Sequence, residues 1–238
     1  IIKIGETKLD KYIKYDNEHL NVHGGRDRAL TKLRYIRKGV YNSYKKKRDI
    51  PSHPNSTTEL SAYLKFGCVS IRETYFLLKS LYGVRTDLIK QLFWKEFYAY
   101  ITYHNPHVLN GMINESNEAF NEKYNDIDWK INDDHFEKWC RGETGFPIVD
   151  AGMRQMNKTG YMHNRLRMIT ASFLIKDLHL DWRKGEKYFA SKLLDYDPAS
   201  NNGGWQWVAG TGTDASPYFR IFNPWTQIKR FDNECKYI

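Results

Sequence analysis

Apolar residues recur along most of this chain at intervals of three and four, the spacing of one face of an α-helix. The pattern predicts helices near residues 26–47, 58–80, 86–104, 133–157, 163–180 and 184–195. No run shows the convincing apolar–polar alternation of a strand, and no internal repeat or low-complexity tract stands out. Ahead of Leu60, Ser56-Thr57-Thr58-Glu59 places a hydroxyl and an acid three positions apart, as a capping box does. Residues 105–132 are rich in Asn and weak in pattern, which predicts a long irregular connection, and loops of that length often carry function. The expected fold is all-α, an irregular multi-helix bundle with long loops.

Two of the helices carry faces that a core alone does not explain. Leu88, Leu92 and Ala99 supply the apolar side of 86–104, while Gln91, Trp94, Lys95 and Tyr98 share another face at i, i+3, i+4 and i+7. An amide, an indole, an ammonium and a phenol together suit a ligand wall, or a boundary where aromatics reach from core to water. In 163–180, Leu166, Ile169, Phe173 and Leu174 make the core stripe, and Asn164 and Met168 share a second face beside Arg165 and Arg167. Arginines in the first turns of a helix oppose its dipole and need a compensating anion. Asp195 and Asp197 are candidates, although Asp before Pro198 is also ordinary turn chemistry.

Composition narrows the class. In 238 residues, Lys and Arg outnumber Asp and Glu by 37 to 28, a net +9 that fits either a solvated surface or a polyanionic partner such as nucleic acid. Cys68, Cys140 and Cys235 are far apart, with no CxxC, which points to an intracellular, reducing compartment (cytoplasm or nucleus) and away from disulfides. The pairs His19/His23 and His104/His107 lack a third ligand, so no metal site is expected. No apolar run approaches the roughly 18 residues of a membrane span, and no signal-peptide pattern is present. The first residue is Ile1 and not Met, as in a fragment.

The stretch "NNGGWQWVAGTGTDASPYFRIFNP", Asn201–Pro224, sets Trp205 and Trp207 one residue apart beside two glycines. If a helix begins near Gly204, the two indoles project about 200° apart and serve different neighbours. The Gly/Thr string is no dinucleotide fingerprint, since no strand precedes it. A flat ring beside glycines fits close approach to a large planar group, or simply a crowded core.

Together with "TGYMHNRLRMITASFLIKDL" and "DWRKGEKYF", this stretch resembles the flavin-binding helical domain of the photolyase/cryptochrome family. Within it, the chain is most similar to microbial class I cyclobutane-dimer photolyases, over nearly everything from residue 24 onward. The resemblance implies a linker over residues 1–25 and an FAD-binding and lesion-binding helical domain over 26–238. It also implies that an N-terminal α/β antenna domain and the last helices after Ile238 are missing, which a second chain could supply, and it leaves the antenna chromophore unidentified. The implied activity is light-dependent repair of pyrimidine dimers in damaged DNA, by electron transfer from photoexcited reduced FAD. Photolyases are among the enzymes that take their target base out of the stack.

Residue by residue, the resemblance places Tyr44, Thr57, Thr58, Glu59, Leu60 and Ser61 at the phosphates and ribose of FAD. Arg167 with Asp195, Asp197, Lys95 and Asn201 fall near its ring system, Asn201 facing N5. Trp205, Trp182 and Trp129 match an electron relay running outward. Gln91, Trp94, Asn164, Met168 and Trp207 match the lesion pocket, and Arg48, Arg165, Arg220 and Gln227 match contacts to DNA. Two positions depart from the family pattern. Gln91 stands where Glu is usual, so a proton donor is lost, and Lys95 replaces an Arg and loses its bidentate fork. Relatives repairing the (6-4) lesion also carry Gln there, but have histidines where this chain has Asn164 and Met168. A cryptochrome-like blue-light photoreceptor is the alternative, for which an acid at position 201 would be expected, and a non-catalytic DNA-binding subunit is a third.

Overall fold

A computed structural model of the protein describes residues 17–112, 118–213, 217 and 219–238. Among these the architecture is all-α, and the one β feature is an isolated bridge between Lys130 and Leu180. The helices are α1 (Arg26–Ile36), α2 (Tyr44–Lys47), α3 (Ser61–Lys65), α4 (Ile71–Tyr82), α5 (Asp87–His104), α6 (Asp133–Arg141), α7 (Pro147–Thr159), α8 (Asn164–Ser172), α9 (Trp182–Lys192), α10 (Pro198–Ala209) and α11 (Pro224–Phe231). The last turn of α8 runs on as a π-helical turn over Phe173–Asp177. None of the helices in the described residues is long and apolar enough to cross a membrane.

Several predicted helices break at glycines in left-handed backbone. The helix expected over 26–47 is interrupted near Gly39 (φ 73°), that over 58–80 at Gly67 (φ 67°), and that over 133–157 at Gly142 (φ 68°). In each case the apolar register resumes after the turn, so the periodicity hides it. The expected capping box is a misreading. Leu60 holds the N-cap of α3 without a side-chain bond, and Glu59 has φ 53° and pairs with Lys32. The box belongs to α4, where Ser70 Oγ accepts from the Glu73 N–H. Helix α10 begins at Pro198, not Gly204, because Asp197 caps it and proline suits a first turn. Likewise, Asn223 caps α11 ahead of Pro224. The connection over 105–132 is irregular as expected, apart from two 3₁₀ turns in its described part.

Two apolar clusters form the core. The larger is built from α6 to α11 around Trp139, Met153, Leu166, Ile169, Leu174, Trp182, Phe189 and Trp205. The smaller joins α1, α3, α4 and α5 through Leu33, Ile36, Tyr63, Leu78, Leu88 and Leu92. Each fully buried Leu, Ile or Met contributes roughly 1.5–3 kcal/mol by leaving water. Ala99, expected on the apolar side of α5, is exposed; Leu88 and Leu92 carry that face. Helix α5 spans both clusters, packing on α4 and on α10, and so sets its polar face against the residues preceding α10.

Candidate functional site

That junction holds a ring of contacts closed through the chain between Thr57 and Ser61. Arg167, in the second turn of α8, sends Nη2 to Asp195 Oδ1 (3.0 Å) and Oδ2 (2.9 Å), and Nε to the Met162 carbonyl (2.8 Å). Its guanidinium lies 5.8 Å over the ring of Tyr161, whose hydroxyl shares a 3.0 Å hydrogen bond with Thr57 Oγ1. The Ser61 hydroxyl closes the ring on Asp195. Burial alone would push the Asp195 carboxyl up, but the charge and hydrogen bonds of Arg167, with help from Ser61, hold it below the usual carboxylate range. Tyr161 is a member that sequence reasoning missed, and burial pushes its phenol up to about 12.

Beside the ring, Asp197 has two tasks. Its Oδ1 accepts from Ser200 N (3.0 Å) and Oγ (2.8 Å) as the cap of α10, while Oδ2 accepts from Lys95 Nζ at 2.6 Å. Burial opposes its charge, and these bonds more than offset that, so it too sits below the usual range. Asn201 donates Nδ2 to Glu186 Oε1 (2.9 Å) and to the Glu186 carbonyl (3.2 Å). Glu186 is itself buried, and its carboxyl is pushed up despite that bond. Thr58 and Tyr44 are half-buried and Leu60 is buried, so the 57–61 segment stands around the ring, with Glu59 turned to Lys32.

Gln91 and Trp94 lie open on the surface of α5. Trp94 is 45% exposed, against Phe97 and Tyr98, with ring centroids 5.5 and 6.1 Å away. Gln91 is exposed, its Nε2 bonded to the Asp87 carbonyl (3.2 Å). Asn164 and Met168 do share a face, with Nδ2 3.8 Å from the sulfur. Trp207 is half-buried, stacked on Phe222 with centroids 6.3 Å apart, whereas Trp205 is buried. The two indoles therefore point to different surroundings.

Trp205 touches rings that the sequence reading did not name. Phe189 is edge-on at 5.0 Å and Trp139 at 6.1 Å, and Trp139 is fixed by donating Nε1 to the Thr170 carbonyl (3.0 Å). Only the apolar register of Trp139 with Phe136 on α6 marks it in the sequence. Trp182 is fully buried and Trp129 half-buried, and the indole N–H of each lies buried without an acceptor.

The basic residues divide. Arg48 is half-buried and Arg220 exposed. Gln227, expected on a DNA-facing surface, points into the core because α11 packs that side on α7. Arg165, expected there too, is paired with Asp49 at 2.7 Å. Between them, His163 caps α8, its Nδ1 accepting from Arg165 N at 3.1 Å, and burial pushes its imidazole down to about 4, against the pull of Asp49. This base stays neutral in the folded protein while the unfolded chain takes up a proton below about pH 6.5. Stability should therefore fall by about 2–3 kcal/mol between pH 7 and 4.5. His163→Asn, which keeps a capping acceptor, is expected to remove that part of the slope in urea unfolding; an unchanged slope would place it elsewhere.

Comparison with known proteins fits this geometry. The chain is 49% identical over 218 residues to a deoxyribodipyrimidine photo-lyase of Alkalihalophilus pseudofirmus, covering 90% of this chain and 44% of the relative. It is 44% identical to that of Escherichia coli, covering 94% and 47%. An archaeal photolyase from Sulfolobus tokodaii, solved with two FAD molecules, superposes with a TM-score of 0.82 at 41% identity, covering 97% of this chain and 49% of that one. A Synechocystis cryptochrome also superposes at 0.82, with 34% identity and 96% and 48% coverage. The chain thus spans a little under half the length of these proteins. Residues 88–238, which hold most of the ring and the whole aromatic wall, match the family described as the FAD binding domain of DNA photolyase, and the chain belongs to that family.

Proposed function

We propose that residues 26–238 form the cofactor- and lesion-binding domain of a light-dependent DNA lyase that splits cyclobutane pyrimidine dimers. The observation that carries this reading is the ring Thr57–Tyr161–Arg167–Asp195–Ser61, which draws distant chain segments around one site with Lys95–Asp197 and Asn201 beside it. The donor set suits FAD. Hydroxyls of Thr57, Thr58 and Ser61 serve the phosphates, and the paired cations, carboxylates and amide serve a ring edged with both donors and acceptors. When bound and reduced, FAD would supply the excited electron that opens the dimer. The protein's own part is placement. Trp94 and Trp207 offer flat faces to unstacked bases, and the Asn164 and Gln91 amides can hydrogen-bond their edges. Gln91 can donate such a bond but no proton. Arg48, the lysines of α2 and Arg220 suit phosphates.

Titration of the purified chain with FAD and with duplexes bearing or lacking one thymine dimer tests this. FAD is expected to bind, the damaged duplex to bind at least tenfold tighter, and blue light, with an external reductant to reduce the bound FAD, to restore the thymines. Failure to bind FAD, or equal affinity for both duplexes, overturns the reading. Trp182→Phe should bind FAD as the wild type does, yet slow its light-driven reduction by an external donor at least tenfold. Undiminished reduction would mean that the relay does not run through Trp182.

A further inference from the structure

We propose that Tyr161 is a positioning residue that sets the phosphate side of the site before FAD arrives. Its hydroxyl, donated to Thr57 Oγ1, fixes segment 57–61 and leaves the Thr57 hydroxyl hydrogen free for a phosphate oxygen. The inference rests on the reading of this site as one for FAD.

Residues 57–60 belong to no helix, and their backbone N–H groups make no hydrogen bond among the described residues. Nothing in the segment's own backbone holds its shape, so side chains must. Tyr41, buried in the smaller cluster, donates its hydroxyl to the Thr57 carbonyl (3.0 Å). Lys32 of α1 pairs with Glu59, which stands in left-handed backbone at φ 53°. Leu60 is buried in the same cluster as Tyr41, and the Ser61 hydroxyl reaches Asp195. Tyr161 adds a tie from the connection between α7 and α8, its hydroxyl 3.0 Å from Thr57 Oγ1. Tyr161 is itself held. Its N–H donates to Thr159 Oγ1 and its carbonyl accepts from that hydroxyl, both at 3.3 Å. The Arg167 guanidinium lies 5.8 Å over its ring while Arg167 Nε bonds the Met162 carbonyl. One side chain thus couples the Thr57 hydroxyl to the Arg167–Asp195 pair. The direction of the bond matters, because a hydroxyl has a single hydrogen to give. A Thr57 that donated to Tyr161 would offer a phosphate only lone pairs. With the phenol donating, the order is Tyr161 to Thr57 to phosphate, and each bond polarises the next. Burial pushes the phenol up to about 12, so it keeps the proton it donates.

Two measurements on the full chain test this: backbone ¹⁵N relaxation without FAD, and titration with FAD. In the FAD-free wild type the Thr57 and Thr58 amides are expected to be rigid, with order parameters of about 0.85. Tyr161→Phe, which removes only the hydroxyl, should lower them to about 0.6 and leave the amides of α8 unchanged. The same variant should bind FAD about tenfold more weakly, the size of one hydrogen bond together with the cost of ordering the segment on binding. Thr57→Val removes the oxygen through which Tyr161 acts. In that background Tyr161→Phe should weaken FAD by no more than about twofold further, whereas a purely structural Tyr161 would add its full loss. Unchanged order parameters in Tyr161→Phe, loosening that spreads through α8, or losses that add in the double variant overturn the role of Tyr161. A wild type that is rigid over Thr57 and Thr58 yet does not bind FAD overturns the parent reading, and this role with it. A wild type that binds FAD with the segment already loose overturns the positioning role alone.

Discussion

Gly185→Ala is expected to destabilise the protein by roughly 3 kcal/mol, although it adds one methyl group. A Cβ on Gly185 would lie 2.2 Å from Trp205 Cη2, 2.6 Å from Cζ3 and 2.5 Å from Leu174 Cδ2. Those atoms have nowhere to go. Trp205 is held edge-on by Phe189 and Trp139, and Leu174 is fully buried. In a chain of this length the loss corresponds to a Tm lower by about 10 °C. The matching control is Gly204→Ala, inside α10, where a Cβ meets nothing within 4 Å. A glycine in a helix interior costs about 1 kcal/mol relative to alanine, so this variant should melt a few degrees higher. Gly204 lies one turn after Asn201 on α10, beside the region assigned to FAD, so the same variant should bind FAD less well while being more stable without it. Calorimetry of the apo chains decides the packing argument, and equal changes for the two variants would sink it.

The glycines also show what was legible. Proximity of glycines to Trp205 was readable from "NNGGWQW", but not which glycine does the work. The close neighbour of the indole is Gly185, on a different helix, while Gly203 instead makes room for Tyr98. Local regularities were readable. Helix α5 was expected over 86–104 and spans Asp87–His104, because its period is unbroken and Thr86 caps it. The divergence of Trp205 and Trp207 followed from helical geometry alone. Breaks were not readable: glycines 39, 67 and 142 turn the chain without disturbing the apolar spacing on either side. Partners distant in sequence were least accessible. The dipole argument required an anion for the arginines of α8 and suggested Asp195 and Asp197, of which Asp195 serves Arg167, while the partner of Arg165 is Asp49, to which no local pattern pointed. Asp197, open between ligand and turn, caps α10 and pairs with Lys95 at once.

Breaking the Arg167–Asp195 pair should have the other large effect, and its pH dependence identifies the cause. Arg167→Met strands a carboxylate whose side chain is 7% exposed, with Ser61 as its remaining side-chain support. Removing one partner of a buried pair leaves an uncompensated charge, and since Arg167 is itself a quarter exposed, a loss of about 3 kcal/mol at pH 7 is expected. Asp195→Asn should cost less, because the guanidinium keeps the Met162 carbonyl and the Tyr161 ring. The double variant should be less damaged than the sum of the two, by 1 kcal/mol or more. In the wild type, Asp195 titrates below its unfolded value, so its contribution is present above the unfolded carboxylate range and is lost as pH falls through the folded pKa. In Arg167→Met the sign reverses: burial now dominates, the carboxyl titrates above its unfolded value, and acid relieves the stranded charge. The stability gap between wild type and Arg167→Met should therefore narrow from pH 7 to pH 4; because Arg167 also helps to depress His163, both proteins are compared in the His163→Asn background, which removes that contribution. A gap of the same size at both pH values would mean that Asp195 is not the charged partner that holds this site.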